Sequence, residues 1–122
     1  MSVITLTQAN FKTIIEQHDF VIIDFWAEWC KPCLDFTDIF NQAEAAHADI
    51  AFGLLNIDDA PDIAEYFNVT QIPCVIAIKH QVIVDGVFGL MPLHDFQNTI
   101  QKWRDFDVTE IDKHFSTKQR SS

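Results

Sequence analysis

Residues 20–36, FVIIDFWAEWCKPCLDF, restrict what this chain can fold into more than any other stretch. The run from Phe20 to Trp26 is apolar except for Asp24. Val, Ile and Phe in an unbroken run bounded by a turn predict a strand covered on both faces. The stretch closes on Cys30 and Cys33, with Lys31 and Pro32 between them. Proline suits the first turn of a helix, where its missing N–H leaves no bond unmade. The reading is strand, short loop, helix, with Cys30 at the helix N-terminus and Cys33 one turn inside.

That placement has chemical consequences. Free N–H groups and the positive end of the helix dipole favour the thiolate of Cys30. Only a thiolate attacks a disulfide, and Cys33 stands within reach to resolve the mixed disulfide that results. The competing readings are two structural cysteines or half a zinc site. A structural zinc needs four N or S ligands. The three cysteines and His18, His47, His80, His94 and His114 show no paired ligand spacing.

Composition narrows the classes further. The 122 residues suffice for one domain with a core, and 48% hydrophobic content with eleven Phe describes a packed globule. A net charge of −10 repels phosphate backbones, which argues against nucleic acid as a partner. No apolar run approaches the roughly 20 residues of a membrane span. The N-terminal MSVITLTQANF lacks a basic segment followed by an apolar one, so a cytoplasmic location is expected. In a reducing cytosol a cysteine pair is more often catalytic or metal-binding than structural.

Taken in order, residues 3–6 predict a first strand, and Thr7 caps a helix over 8–17 with Phe11, Ile14 and Ile15 inward. The central strand follows at 20–26. A helix from about Pro32 to His47 carries the stripe Phe36, Ile39, Phe40 and Ala43. Residues 50–57 read as a buried strand, and a short helix puts Ile63, Ala64 and Phe67 inward. Strands at 74–79 and 82–88, joined by His80 and Gln81, form an antiparallel hairpin. Pro92 opens a last helix to about Phe106, with Leu93, Phe96, Ile100 and Trp103 facing the core. The order β-α-β-α-β-α-β-β-α requires a right-handed crossover for its parallel part and helices on both faces. The domain is expected over 1–106, and a polar, partly frayed tail over 107–122.

VIIDFWAEWCKPC resembles the active-site strand and loop of the thioredoxin family, whose usual pentapeptide is WCGPC. A Cys-x-x-Cys pair beside a β-α-β pattern is a recognised mark of that family. Ile72-Pro73, about 40 residues after the cysteines, resembles its cis-proline dipeptide. LNIDDAP resembles the exit of its third strand, and Gly89 resembles a family glycine. The likeness covers roughly residues 3–106. It implies an α/β thioredoxin fold: a mixed central sheet of about five strands flanked by four helices. It also implies a protein-disulfide reductase that uses Cys30 and Cys33. Its redox group would be the dithiol itself, with no cofactor, recharged by a thioredoxin reductase that draws on NADPH. Protein disulfides are the implied substrates, and a monomer is expected.

The likeness also assigns roles. Asp24, buried in an apolar strand, should have its pKa raised and exchange protons with Cys33. The family usually places a Lys near this acid, and here that position is Leu54. Trp29 is read as a surface platform for the substrate, with Trp26 in the core. Ile72 and Pro73 form the opposite wall, where an extended peptide pairs with backbone groups. Lys31 replaces the usual glycine and should favour the Cys30 thiolate. Pro32 shapes the same turn, and Asp35 is placed to pair with Lys31 at i, i+4. Asp38 stands where the family often has a proline, so the long helix should be straighter. Cys74 stands where Thr is usual, and proximity to Cys30 and Cys33 is expected. Three roles stay open for it: an inert buried residue, a partner in an alternative disulfide, or a metal or iron–sulfur ligand. A partner-binding module with secondary redox activity is the remaining alternative.

Overall fold

The computed structural model describes residues 2–108; Met1 and residues 109–122, which hold most of the expected tail, lie outside the described residues. In chain order the elements are β1 (Ile4–Leu6), α1 (Phe11–Gln17), β2 (Phe20–Trp26), α2 (Lys31–Ala46), β3 (Ala51–Asn56), α3 (Pro61–Tyr66), β4 (Cys74–Lys79), β5 (Val82–Phe88) and α4 (Leu93–Asp105). The five strands form one sheet in the order β1-β3-β2-β4-β5. β2 is central, parallel to β3 and antiparallel to β4. That position explains its sequence, since a strand with neighbours on both edges and helices on both faces meets no water.

Strand alternation sorts the core into two layers. Val21, Ile23 and Phe25 of β2 pack with Leu6, Leu55, Ile63, Ala64, Ile76 and Ile78, beneath α1 and α3. Phe20 and Ile22 pack with Phe36, Phe40, Phe52, Phe96, Ile100 and Trp103, beneath α2 and α4. Edge-on contacts among Phe36, Phe40, Phe52 and Phe96 fill this second layer. The helix expected over 8–17 begins instead at Phe11. Thr7 N–H donates to Asn10 Oδ1 at 2.7 Å, and Asn10 N–H donates to Thr7 Oγ1 at 3.1 Å. This reciprocal pair closes residues 7–10 into a turn, and the regular helix follows with Asn10 at its cap position.

The far end of the sheet is closed by polar contacts. His80 (φ 50) and Gln81 (φ 66) both take the left-handed conformation, which matches a two-residue hairpin turn to the strand twist. Lys79 donates to the carbonyls of Trp103, Arg104 and Phe106 at 2.9, 3.0 and 2.7 Å, capping α4 with a cation at its negative end. Arg104 binds Asp49 and His47 and so ties α4 to the end of α2. Among the described residues no helix is long and apolar enough to cross a membrane. At the opposite end of the sheet, the C-terminus of β2 delivers the chain to the start of α2.

Candidate active site

Cys30 is the N-cap residue of α2, with an extended backbone (φ −97, ψ 103) and Pro32 in the first turn. Its sulfur accepts a hydrogen bond from the N–H of Cys33 at 3.3 Å. The helix terminus therefore presents a backbone donor to this sulfur, as expected from the position of the proline. Cys30 and Cys33 form a disulfide with a Cα–Cα distance of 5.3 Å. Cys33 is fully buried while Cys30 keeps 6% of its surface, so Cys30 is the sulfur that an incoming group can reach.

The walls are set by two loops. The Ile72–Pro73 peptide bond is cis, and the Ile72 carbonyl oxygen lies 3.9 Å from Cys30 Sγ. Gly89 N–H donates to the Pro73 carbonyl at 2.8 Å and fastens the chain after β5 to this wall. Gly89 has φ +92, a conformation that L side chains rarely adopt, so glycine fits there. Trp29 is 68% exposed, and its indole N–H donates to Asp58 Oδ2 at 2.9 Å. Asp58 was not singled out from sequence. The LNIDDAP stretch marked its position, but nothing in the residues themselves linked it to Trp29. Trp26 is half-buried and packs against the small cluster of Ala27, Cys30 and Cys33.

Asp24 is fully buried and neither of its carboxylate oxygens has a partner. Burial pushes its pKa well up from 3.8. It lies on the α2 side of β2, in step with Phe20 and Ile22, and so on the same side of the sheet as Cys33. Its cross-strand neighbours are Leu54 and Val75, so the position of the usual family lysine is indeed apolar here. Lys31 Nζ lies 3.3 Å from Asp35 Oδ1, the expected i, i+4 pair, on an exposed surface where such pairs contribute little. α2 runs from Lys31 to Ala46 through Asp38 without interruption.

The side chain of Cys74 belongs to the α1/α3 layer with Phe25, Ile76 and Ile78, whereas Cys30 and Cys33 cluster with Ala27; Ile57 and Ile72 pack against both groups. The physical reason is strand parity. Cys74 is paired with Phe25, and paired residues share a face, opposite to that of Asp24. Its thiol is pushed up to about 11, first by burial and then by the charge of Asp24. Among the described residues no three His, Cys, Asp or Glu side chains are grouped to hold a metal ion.

The thioredoxin family model matches residues 2–102. The chain belongs to the thioredoxin family. It is 34% identical to the thioredoxin of Porphyra purpurea over 105 residues, covering 84% of this chain and 98% of that protein. It is 42% identical to the thioredoxin of Chlamydia caviae over 81 residues, 66% of this chain and 78% of that one. Among solved structures, Plasmodium falciparum thioredoxin superposes with a TM-score of 0.78 at 29% identity, covering 83% of this chain and 99% of its own. Mitochondrial thioredoxin 3 of Saccharomyces cerevisiae, in its oxidised form, gives 0.75 at 28%, covering 82% and 94%. As a member of this family, the chain is a thiol–disulfide oxidoreductase, and its Cys30–Cys33 pair fits the family's redox centre.

Proposed function

We propose that the protein is a cytoplasmic, monomeric protein-disulfide reductase in which Cys30 attacks and Cys33 resolves. The observation that carries this reading is the asymmetry of the pair. Cys30 caps a helix and meets the surface, and Cys33 is sealed behind it. In the reduced protein the Cys30 thiolate attacks one sulfur of a substrate disulfide and expels the other as a thiolate. Cys33 then gives its proton to the Asp24 carboxylate and attacks Cys30 Sγ, breaking the mixed disulfide and expelling the second substrate sulfur as a thiolate; Asp24 and water return the protons, so the substrate ends as a dithiol and the Cys30–Cys33 disulfide remains. Two electrons have passed to the substrate. Trp29, Ile72 and Pro73 hold an extended segment of the substrate by main-chain and apolar contact, which suits varied sequences.

The reduced pair must be restored by an outside donor, and a thioredoxin reductase drawing on NADPH is the donor we assign. Such a cycle contributes to electron transport and redox homeostasis in a reducing compartment. Insulin reduction followed by turbidity, first with dithiothreitol and then with NADPH and a thioredoxin reductase, tests it. The wild type should turn over in both, Cys30→Ser should be inactive, and Cys33→Ser should trap a mixed disulfide. Full activity of Cys30→Ser would refute the assignment.

A further inference from the structure

The edge strand β5 is well covered on one face only. Val84 and Val87 pack beneath α2 and α4. Ile83 pairs with Ile78 across the hairpin and shares its face, on the side of α1 and α3. Ile78 is buried, yet Ile83 is 51% exposed. α1 and α3 stop short of β5 and leave a groove. Two adjoining clefts, of about 530 and 280 Å³, share Phe11, Ile15, Tyr66 and Gln81. Ile78 and Ile83 carry the second cleft onto the sheet, and Tyr66, which lines both, is 79% exposed. With Gln81 in the hairpin turn, the groove opens at the end of the sheet opposite to the Cys30 turn.

The described chain ends beside the same hairpin. Lys79, next to the turn, holds the Phe106 carbonyl at 2.7 Å. Residues 109–122 come after it, and their only large apolar side chains are Ile111 and Phe115. Charge divides sharply at this segment. All eighteen Asp and Glu residues precede position 113, whereas Lys113, Lys118 and Arg120 follow it or stand at it. The rim of the groove carries Glu16 and Asp62. Lys12 Nζ lies 3.9 Å from Glu16, but its side chain is 90% exposed, and such a pair yields readily to another cation. Phe115 follows Phe106 by nine positions, up to about 30 Å of extended chain. The way round the hairpin, from the α4 layer to the α1 layer, is roughly 20 Å. Phe115 therefore reaches the groove.

We propose that this groove is the seat of the chain's own segment 109–122. Ile111 and Phe115 fill its apolar floor beside Phe11, Ile15 and Ile83, and the three cations face its acidic rim. The tether favours this occupant over a second copy, because a short linker holds its segment at an effective concentration in the millimolar range. The seated segment straps the open face of β5, an edge strand whose apolar surface would otherwise invite other chains. Neither Cys30 nor Cys33 takes part, so the strap stands or falls apart from the redox reading.

The test attaches a nitroxide to Ser116→Cys in the oxidised full-length protein. The Cys30–Cys33 disulfide is intact and Cys74 is buried, so the introduced thiol is the one that reacts. The amide NMR signals of Ile15, Tyr66, Gln81 and Ile83 should be broadened beyond detection, while those of Cys33 and Leu90 keep their intensity. Adding Phe115→Ser to the labelled protein should restore the groove signals. Tyr66→Glu with Ile83→Glu, both at exposed positions, should restore that of Ile15. Weak broadening spread evenly over the surface, or broadening centred on Cys33 and Leu90, overturns the strap. Broadening that survives both sets of substitutions overturns it as well. A mixture of nitroxide-bearing chains with separate isotope-labelled chains should leave the groove signals sharp. Broadening there would assign the groove to a second copy and overturn the intramolecular seat.

Discussion

Asp24 should weaken the fold as the pH rises, and the size of the effect follows from its surroundings. The carboxyl is fully buried, neither oxygen has a partner, and its cross-strand neighbours are Leu54 and Val75. Burial raises its pKa from the ordinary 3.8. Between 3.8 and the raised value, the unfolded chain has released the proton and the native protein keeps it. Rising pH across that window therefore favours unfolding. The stability associated with Asp24 is complete below 3.8 and is lost as pH climbs through the folded value. Each unit of displacement corresponds to about 1.4 kcal/mol. For a domain of this size that is roughly 5 °C in Tm.

Asp24→Asn removes the charge and keeps the shape, and Asp24→Val removes the polarity as well. Burying an amide without a partner costs about 1–3 kcal/mol, so Val should be the more stable variant by about that amount. Urea unfolding of the oxidised protein, followed by tryptophan fluorescence at several pH values between 3.5 and 8, provides the measurement. With the disulfide intact only Cys74 carries a free thiol, and at about 11 it does not titrate in this range. The advantage of Asn over wild type should be near zero at the acid end and grow toward neutrality. A wild type that gains on Asn as pH rises would show that the fold stabilises the carboxylate, and the desolvation argument would fail. The same Asn variant should slow disulfide reduction near neutral pH; identical pH–rate profiles would remove Asp24 from the mechanism.

Leu54→Lys places a cation beside Asp24, so the Asp24 midpoint seen by carbon NMR should fall; an unmoved midpoint would mean the ammonium escapes to solvent. Cys74→Thr should leave turnover and potential unchanged, and Cys74 in the oxidised native protein should resist iodoacetamide until guanidinium is added. Truncation of Trp29 to Ala should raise KM for insulin about tenfold, the loss of an exposed aromatic anchor. Lys79→Met removes three bonds to the end of α4 and should cost about 2 kcal/mol in urea unfolding.

How far the sequence could be read depends on the range over which each residue is determined. β2, the Cys30 turn and the His80–Gln81 hairpin are fixed by neighbours a few positions away, and the observed elements match the expected ones there. The late start of α1 is also local: Thr7 and Asn10 bond to each other's backbone N–H and hold residues 8–10 as a turn, which the hydrophobic period hides. Cys74 shows a different limit. Parity puts Cys74, Ile76 and Ile78 on one face of β4, but which layer that face meets depends on the register with β2, where Cys74 pairs with Phe25. The Trp29–Asp58 bond belongs to a third kind. It joins segments separated by 29 residues, and no period or spacing encodes it. The chemistry of the redox pair is local, so it is legible in the sequence.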